Sequence, residues 1–259
     1  MPSVTIRQNG AVVGFGPRGR PPGTGGLRST VKGWSEGSAR RLLHKLFEVD
    51  GDSLPDTGLS LTVTFDRDLS FDEFHLARSR YVDTLRRRSD LVTWVVEWTA
   101  AGRPHLHLAV YGFPGSEVDA LLLWFVIVRP LGFDPVWRAQ HGERIYGAVG
   151  WLAYLAKHAG RGVAHYQRQG SPVGWDKTGR LWGFNGAWPS VEPLRADVSP
   201  SFARDYRALL EAYATARRGR LGILPPELGV EHAHEYRGLS LWIPLEEAML
   251  LLVPLIEGA

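Results

Sequence analysis

Polar and apolar residues alternate from Pro104 to Val110, so that Leu106, Leu108 and Val110 share one face of a β-strand and His105 and His107 the other. Just upstream, Val92 to Trp98 is a second β-rich run, and Ala100-Ala101-Gly102-Arg103-Pro104 supplies the glycine and proline of a connection. The two runs predict a hairpin. If its register sets Glu97 opposite an odd-numbered residue of the second strand, the carboxylate joins both imidazoles on one face.

A different period governs Gly147 to Arg161. Val149, Leu152, Ala156 and Ala159 recur at i, i+3, i+7 and i+10, an apolar helical stripe that ends near Gly160. Tyr154 and Lys157 lie three apart and are neighbours on another face. Further patterns predict helices over Ser35 to Glu48, Phe71 to Arg88, Ser116 to Val128 and Ser201 to Arg220. Strands are predicted over Leu59 to Phe65 and near Pro135 to His141. This mixed order predicts an α+β fold, a sheet with helices packed on it. Residues 1–32, rich in Gly, Pro and Arg, are expected to be a flexible N-terminal segment, and residues 191–259 a mainly helical C-terminal extension.

Composition narrows the function classes. The 259 residues can form one large domain, alone or with appendages. A net charge of +3 and a pI near 9.3 lean toward a nucleic-acid partner, with local clusters at Arg40-Arg41, Arg86-Arg87-Arg88 and Arg217-Arg218. The same arginine richness also suits a GC-rich genome. Most of the ten tryptophans are expected in the core; Trp175 and Trp182, in a glycine-rich connection, are the candidates for base stacking. The lack of cysteine excludes disulfides and thiolate sites. No apolar run approaches the ~20 residues of a membrane span, and the N-terminus lacks a signal-peptide core, so a cytoplasmic protein is expected. Without a GxxxxGK[ST] loop, any DNA unwinding must come from a separate helicase. Met249 to Ile256, short, apolar and interrupted by Pro254, is expected to be a packing element or a homo-oligomer contact.

The Cβ atoms of His105 and His107 would stand roughly 6 to 7 Å apart on a strand, close enough for both imidazoles to reach one metal ion. Such pairs also occur on ordinary half-exposed strands. The second pair, His232 and His234 between Glu231 and Glu235, lies in a polar stretch after Pro225-Pro226 and reads as a surface segment. Lys157 departs from the habit of a chain with 26 Arg and 4 Lys. Either it solvates a helix face or the chemistry there requires a compact ammonium rather than a planar fork.

Together these segments resemble the HUH endonucleases, specifically the single-tyrosine replication initiators of rolling-circle plasmids and phages. "LSLTVTF" (Leu59 to Phe65) is similar to their first motif, and "RPHLHLAV" to their second. Glu97 stands where such proteins often carry a third metal ligand. "WLAYLAK" resembles the third motif, tyrosine followed three residues later by lysine. "GWSEGSARRLL" (Gly33 to Leu43) and "GRLWGFNG" (Gly179 to Gly186) are similar to segments flanking those motifs in bacterial initiators. The histidines precede the tyrosine, which is initiator order. The resemblance implies a nuclease domain over residues 33–190, with a ferredoxin-like core built on a central antiparallel sheet of about five strands.

It also implies a chemistry. His105, His107 and Glu97 would hold a divalent ion, Mn2+ or Mg2+, and Tyr154 would attack a phosphodiester of single-stranded origin DNA. Lys157 would neutralise the phosphate or position the ion. A 5′-phosphotyrosine and a 3′-hydroxyl would result, the latter a primer for a host polymerase. Some initiators place a glutamate four residues before the tyrosine to activate water at termination; here that position is Gly150. A single-tyrosine transposase shares the chemistry, and a DNA-binding module with a lapsed nuclease site would bind without cutting. A histidine-triad hydrolase would need a third histidine at Ala109, and a two-histidine phosphoesterase a second HxT or HxS, which is missing.

Overall fold

The computed structural model describes residues 1–15, 30–160, 163, 165–221 and 238–257, with the side chains of 157–160 and 218–221 outside that description. In chain order the first elements are β1 (Ser3–Arg7), β2 (Gly10–Gly14), α1 (Glu36–Glu48), β3 (Thr57–Thr64), α2 (Phe71–Arg86), β4 (Leu91–Trp98) and β5 (Pro104–Tyr111). They are followed by α3 (Glu117–Val128), β6 (His141–Tyr146), α4 (Ala148–Gly160), β7 (Trp182–Asn185) and β8 (Leu194–Asp197). The chain closes with α5 (Pro200–Leu221), β9 (Leu239–Trp242), α6 (Leu245–Leu250) and α7 (Val253–Glu257).

The fold is α+β. Its main sheet has five antiparallel strands in the order β6-β3-β5-β4-β7. The alternation along β5 decides what each face carries. Leu106, Leu108 and Val110 turn to the side of α2 and α3, where Phe65 meets Phe74, Trp124 and Phe133 edge-on at ring distances of 5.0 to 5.9 Å. Capping boxes start both helices, Ser70 with Glu73 on α2 and Ser116 with Asp119 on α3. The odd-numbered residues of β5 face the opposite way, toward α1 and α4. Trp182 pairs with Val95 on that face, and its Nε1 donates to Ser38 Oγ of α1 at 3.0 Å. α4 packs along α1 and touches β3.

A second sheet, in the order β8-β1-β2-β9, joins the two ends of the chain. Val4, Ile6, Ala11, Val13, Leu239 and Leu241 bury with Tyr206 and Leu210 of α5 in a separate core. The N-terminal segment, expected to be flexible, thus contributes a paired hairpin at residues 3–14, and the C-terminal extension contributes two strands besides its helices. The flanking strands β8 and β9 lie far along the chain from that hairpin, so no local window exposes the pairing. The strand expected near Pro135 to His141 is displaced: residues Trp137 to Ala139 form a 3₁₀ turn, and β6 begins at His141. β6 is an edge strand that buries only Ile145, and its exposed His, Glu and Arg residues hide the apolar alternation. The sheets meet at α1. Asn9 Nδ2 donates to the Val49 carbonyl at 2.6 Å, and the Arg7 guanidinium meets Glu48 at 3.3 Å.

No helix among the described residues is long and apolar enough to cross a membrane.

Candidate active site

The hairpin register fixes the site. Glu97 lies opposite His105, and Val95 opposite His107, while β3 sets Thr64 and Thr62 against the same two histidines from the other side. Directly paired residues share a face, so Glu97, His105, His107, Thr62 and Thr64 all project toward α1 and α4.

His107 lies between Thr62 and Glu97. Its Nδ1 lies 3.1 Å from Thr62 Oγ1, and its Nε2 lies 3.8 Å from Glu97 Oε2. The His105 ring, half-buried, stands with its centroid 4.5 Å from that of His107 and its plane turned by 67°. Glu97 is fully buried, and so is Arg168, whose Nε donates to Glu97 Oε1 at 3.1 Å. The Arg168 guanidinium also lies over the Trp34 ring at 4.2 Å.

Two imidazoles and a carboxylate form a donor set suited to a divalent cation. Two atoms bound to one ion at ordinary metal–ligand lengths stand about 3 to 4 Å apart, a range that includes the 3.8 Å between His107 Nε2 and Glu97 Oε2. A hydrogen bond at Nδ1 is the usual way to orient a metal-binding imidazole through its other nitrogen. The structure therefore brings Glu97 to His107 and sets His105 beside them. Among the described residues, no group of three His, Cys, Asp or Glu is gathered tightly enough to hold an ion.

Tyr154 lies on α4, which follows β6 through Gly147 at a φ of +84°, a left-handed turn that suits glycine. The helix buries Ala148, Trp151, Leu152, Leu155 and Ala156. Val149, expected on the buried stripe, is exposed, because the larger Trp151 and Leu155 claim the inner side. Tyr154 is 45% exposed; Tyr146 and Tyr166, the neighbouring tyrosines, are 77% and 58% exposed. Lys157 occupies the next turn of α4 after Tyr154, and its side chain is outside the described residues, as is the whole Glu231 to Glu235 segment. A Cβ placed on Gly150 would meet nothing within 4 Å.

Of the two tryptophans expected as candidates for base stacking, Trp175 is taken up by the core. Trp175 is buried among Phe71, Phe74 and Trp98, and its Nε1 donates to the Leu69 carbonyl at 2.7 Å. Trp182 is half-buried and tied to Ser38. Sequence reasoning missed Thr62, Trp34 and Arg168. The threonines within an otherwise apolar strand were the signal for Thr62. Nothing in Tyr166-Gln167-Arg168-Gln169 marks an arginine for burial.

A five-stranded antiparallel sheet with a histidine pair on a central strand, and an exposed tyrosine on a helix packed against the same sheet, defines an α+β protein with one candidate site. No family model and no solved structure matches the chain. A protein of Xylella fastidiosa strain 9a5c, provisionally named a replication protein, is 35% identical over 272 residues, covering 95% of this chain and 93% of its own length. A second so named, from strain Temecula1, is 38% identical over 210 residues, covering 76% and 77%. The replication-associated protein of Pseudomonas phage Pf3 is 35% identical over 246 residues, covering 88% and 87%. The chain belongs to this family of replication proteins.

Proposed function

We propose that the protein initiates rolling-circle replication by nicking and rejoining single-stranded origin DNA, with Tyr154 as nucleophile and a divalent ion held by His105, His107 and Glu97. The observation that carries this reading is the β4–β5 register, which gathers the carboxylate and both imidazoles on one face, with Glu97 and His107 at 3.8 Å. The family's replication proteins supply the biological setting.

When bound, Mn2+ or Mg2+ would supply Lewis-acid polarisation of the scissile phosphate. Tyr154 attacks phosphorus in line, forming the Tyr154 Oη–P bond as the bond to the 3′ oxygen breaks. The phenolic proton is lost to solvent, and the departing oxygen takes up a proton to become the 3′-hydroxyl. A phenol with a reference pKa near 10 needs a nearby cation for this, and the Lys157 ammonium is the chain's own candidate. Rejoining is the reverse attack by a 3′-hydroxyl. A host polymerase extends the primer, and a separate helicase unwinds the duplex.

Labelled single-stranded oligonucleotides and Mn2+ test the reading. Chelation should abolish cleavage and spare most of the salt-sensitive binding to DNA. His105→Ala should cost activity far more than His232→Ala; equal losses would overturn the assignment. A second reading, DNA binding without cleavage, is favoured by the lack of three gathered donors among the described residues. Under it, the oligonucleotide binds and stays intact with every ion tried.

A further inference from the structure

We infer that Arg168 is a positioning residue that holds Glu97 in the orientation needed for metal binding, an inference that rests on the metal site proposed above. A carboxylate with no exposure between two strands must have its charge compensated, because an unpaired buried charge is strongly destabilising. Arg168 supplies the opposite charge. Its Nε bonds Oε1 at 3.1 Å, while Oε2 is the oxygen that lies 3.8 Å from His107 Nε2. One carboxylate oxygen is thus fixed by the guanidinium and the other aims at the histidine face.

Arg168 is itself fixed from segments outside the hairpin. Its guanidinium stacks on Trp34, in the segment before α1, whose Nε1 donates to the Val96 carbonyl at 2.9 Å. Its own backbone N–H donates to the His165 carbonyl at 2.8 Å, and the adjoining Gln167 carbonyl accepts from the Trp98 N–H at 2.8 Å. The loop after α4 is therefore stitched to the end of β4, one residue beyond Glu97. Because Arg168 is fully buried, it cannot act as a clamp on a DNA phosphate. Its influence on chemistry must pass through Glu97.

Lysine is a poor substitute here. It keeps the charge but has neither the Nε donor in the guanidinium plane nor the flat surface that stacks on Trp34. Partners of this kind behind a metal ligand typically change metal affinity by about 10- to 100-fold when replaced.

The test is calorimetric titration of Mn2+ into the full-length protein without DNA, with circular dichroism to check the fold. Arg168→Lys should bind Mn2+ about 10- to 100-fold more weakly than wild type while keeping its helical signal. In a Glu97→Gln background, adding Arg168→Met should change affinity by no more than about twofold, because the ligand it orients has already lost its charge. Unchanged affinity in Arg168→Lys, or a further tenfold loss in the Glu97→Gln background, would overturn the inference. Should Arg168→Lys fail to fold, the Glu97→Gln/Arg168→Met protein decides, since removing both buried charges is often neutral for stability. A wild-type protein that takes up no Mn2+ would sink the metal site itself, and the inference with it. Normal uptake by both wild type and Arg168→Lys would sink the inference alone.

Discussion

His44 should make the junction between the two sheets sensitive to acid. It lies on α1, half-buried, with Nε2 3.2 Å from Ser240 Oγ on β9. Burial, reinforced by the positive charges of Arg7, Arg40 and Arg195, pulls its pKa from 6.5 to about 3. The folded state therefore keeps this imidazole neutral where the unfolded chain protonates it. The stability it contributes is present in full above pH 6.5 and is lost as pH falls toward 3. Each pH unit inside that window removes up to about 1.4 kcal/mol. At about pH 5 the loss reaches roughly 2 kcal/mol, reduced to about 1 to 2 because the ring retains some solvent contact. For a chain of this size that is a fall in Tm of about 3 to 6 °C. Melting wild type and His44→Gln at about pH 7.5 and about pH 5 isolates this contribution, because the carboxylates are common to both proteins. Wild type should lose about 3 to 6 °C more than the variant over that interval. Parallel losses in the two proteins would refute the reasoning.

Gly183→Ala should destabilise the main sheet by about 1 to 3 kcal/mol through overpacking. Its new Cβ would lie 2.8 Å from the Trp94 ring, which the Arg78 guanidinium covers from 4.7 Å, and a wild-type urea midpoint would show that the ring can move aside. Lys157→Arg should slow single-turnover cleavage at least tenfold, about 1.4 kcal/mol of barrier, with unchanged Tm. Matching rates would make Lys157 a solvated helix residue.

The parts of this fold that the sequence exposed are those in which neighbours along the chain are also neighbours in space. The β4–β5 hairpin could be read because alternation and a glycine-proline connection lie within one short window, and its register then carried Glu97 to the histidine face. The main helices were likewise evident from their periods. Partners distant in the chain were not. β1 and β2 gain their burial from β8, β9 and α5, so Gly- and Pro-rich surroundings suggested a flexible segment. Trp175 sits in a sequence that resembles a loop, yet Leu69 and α2 provide its pocket. Arg168 was hidden for a further reason: arginine is usually a surface residue, and the carboxylate of Glu97 and the ring of Trp34 that accompany its burial come from distant parts of the chain.

Covalent capture tests the nucleophile directly. Single-stranded oligonucleotides tiling the replicon that encodes the chain, labelled at their 3′ ends, would be incubated with the full-length protein and Mn2+, and the labelled protein digested and mapped. The predicted result is a DNA fragment linked through its 5′ phosphate to the peptide containing Tyr154. Tyr154→Phe, which removes one oxygen and keeps the ring, should melt like wild type and yield no adduct. Label on Tyr146 or Tyr166, label retained by the phenylalanine variant, or no covalent label on wild type would contradict the assignment.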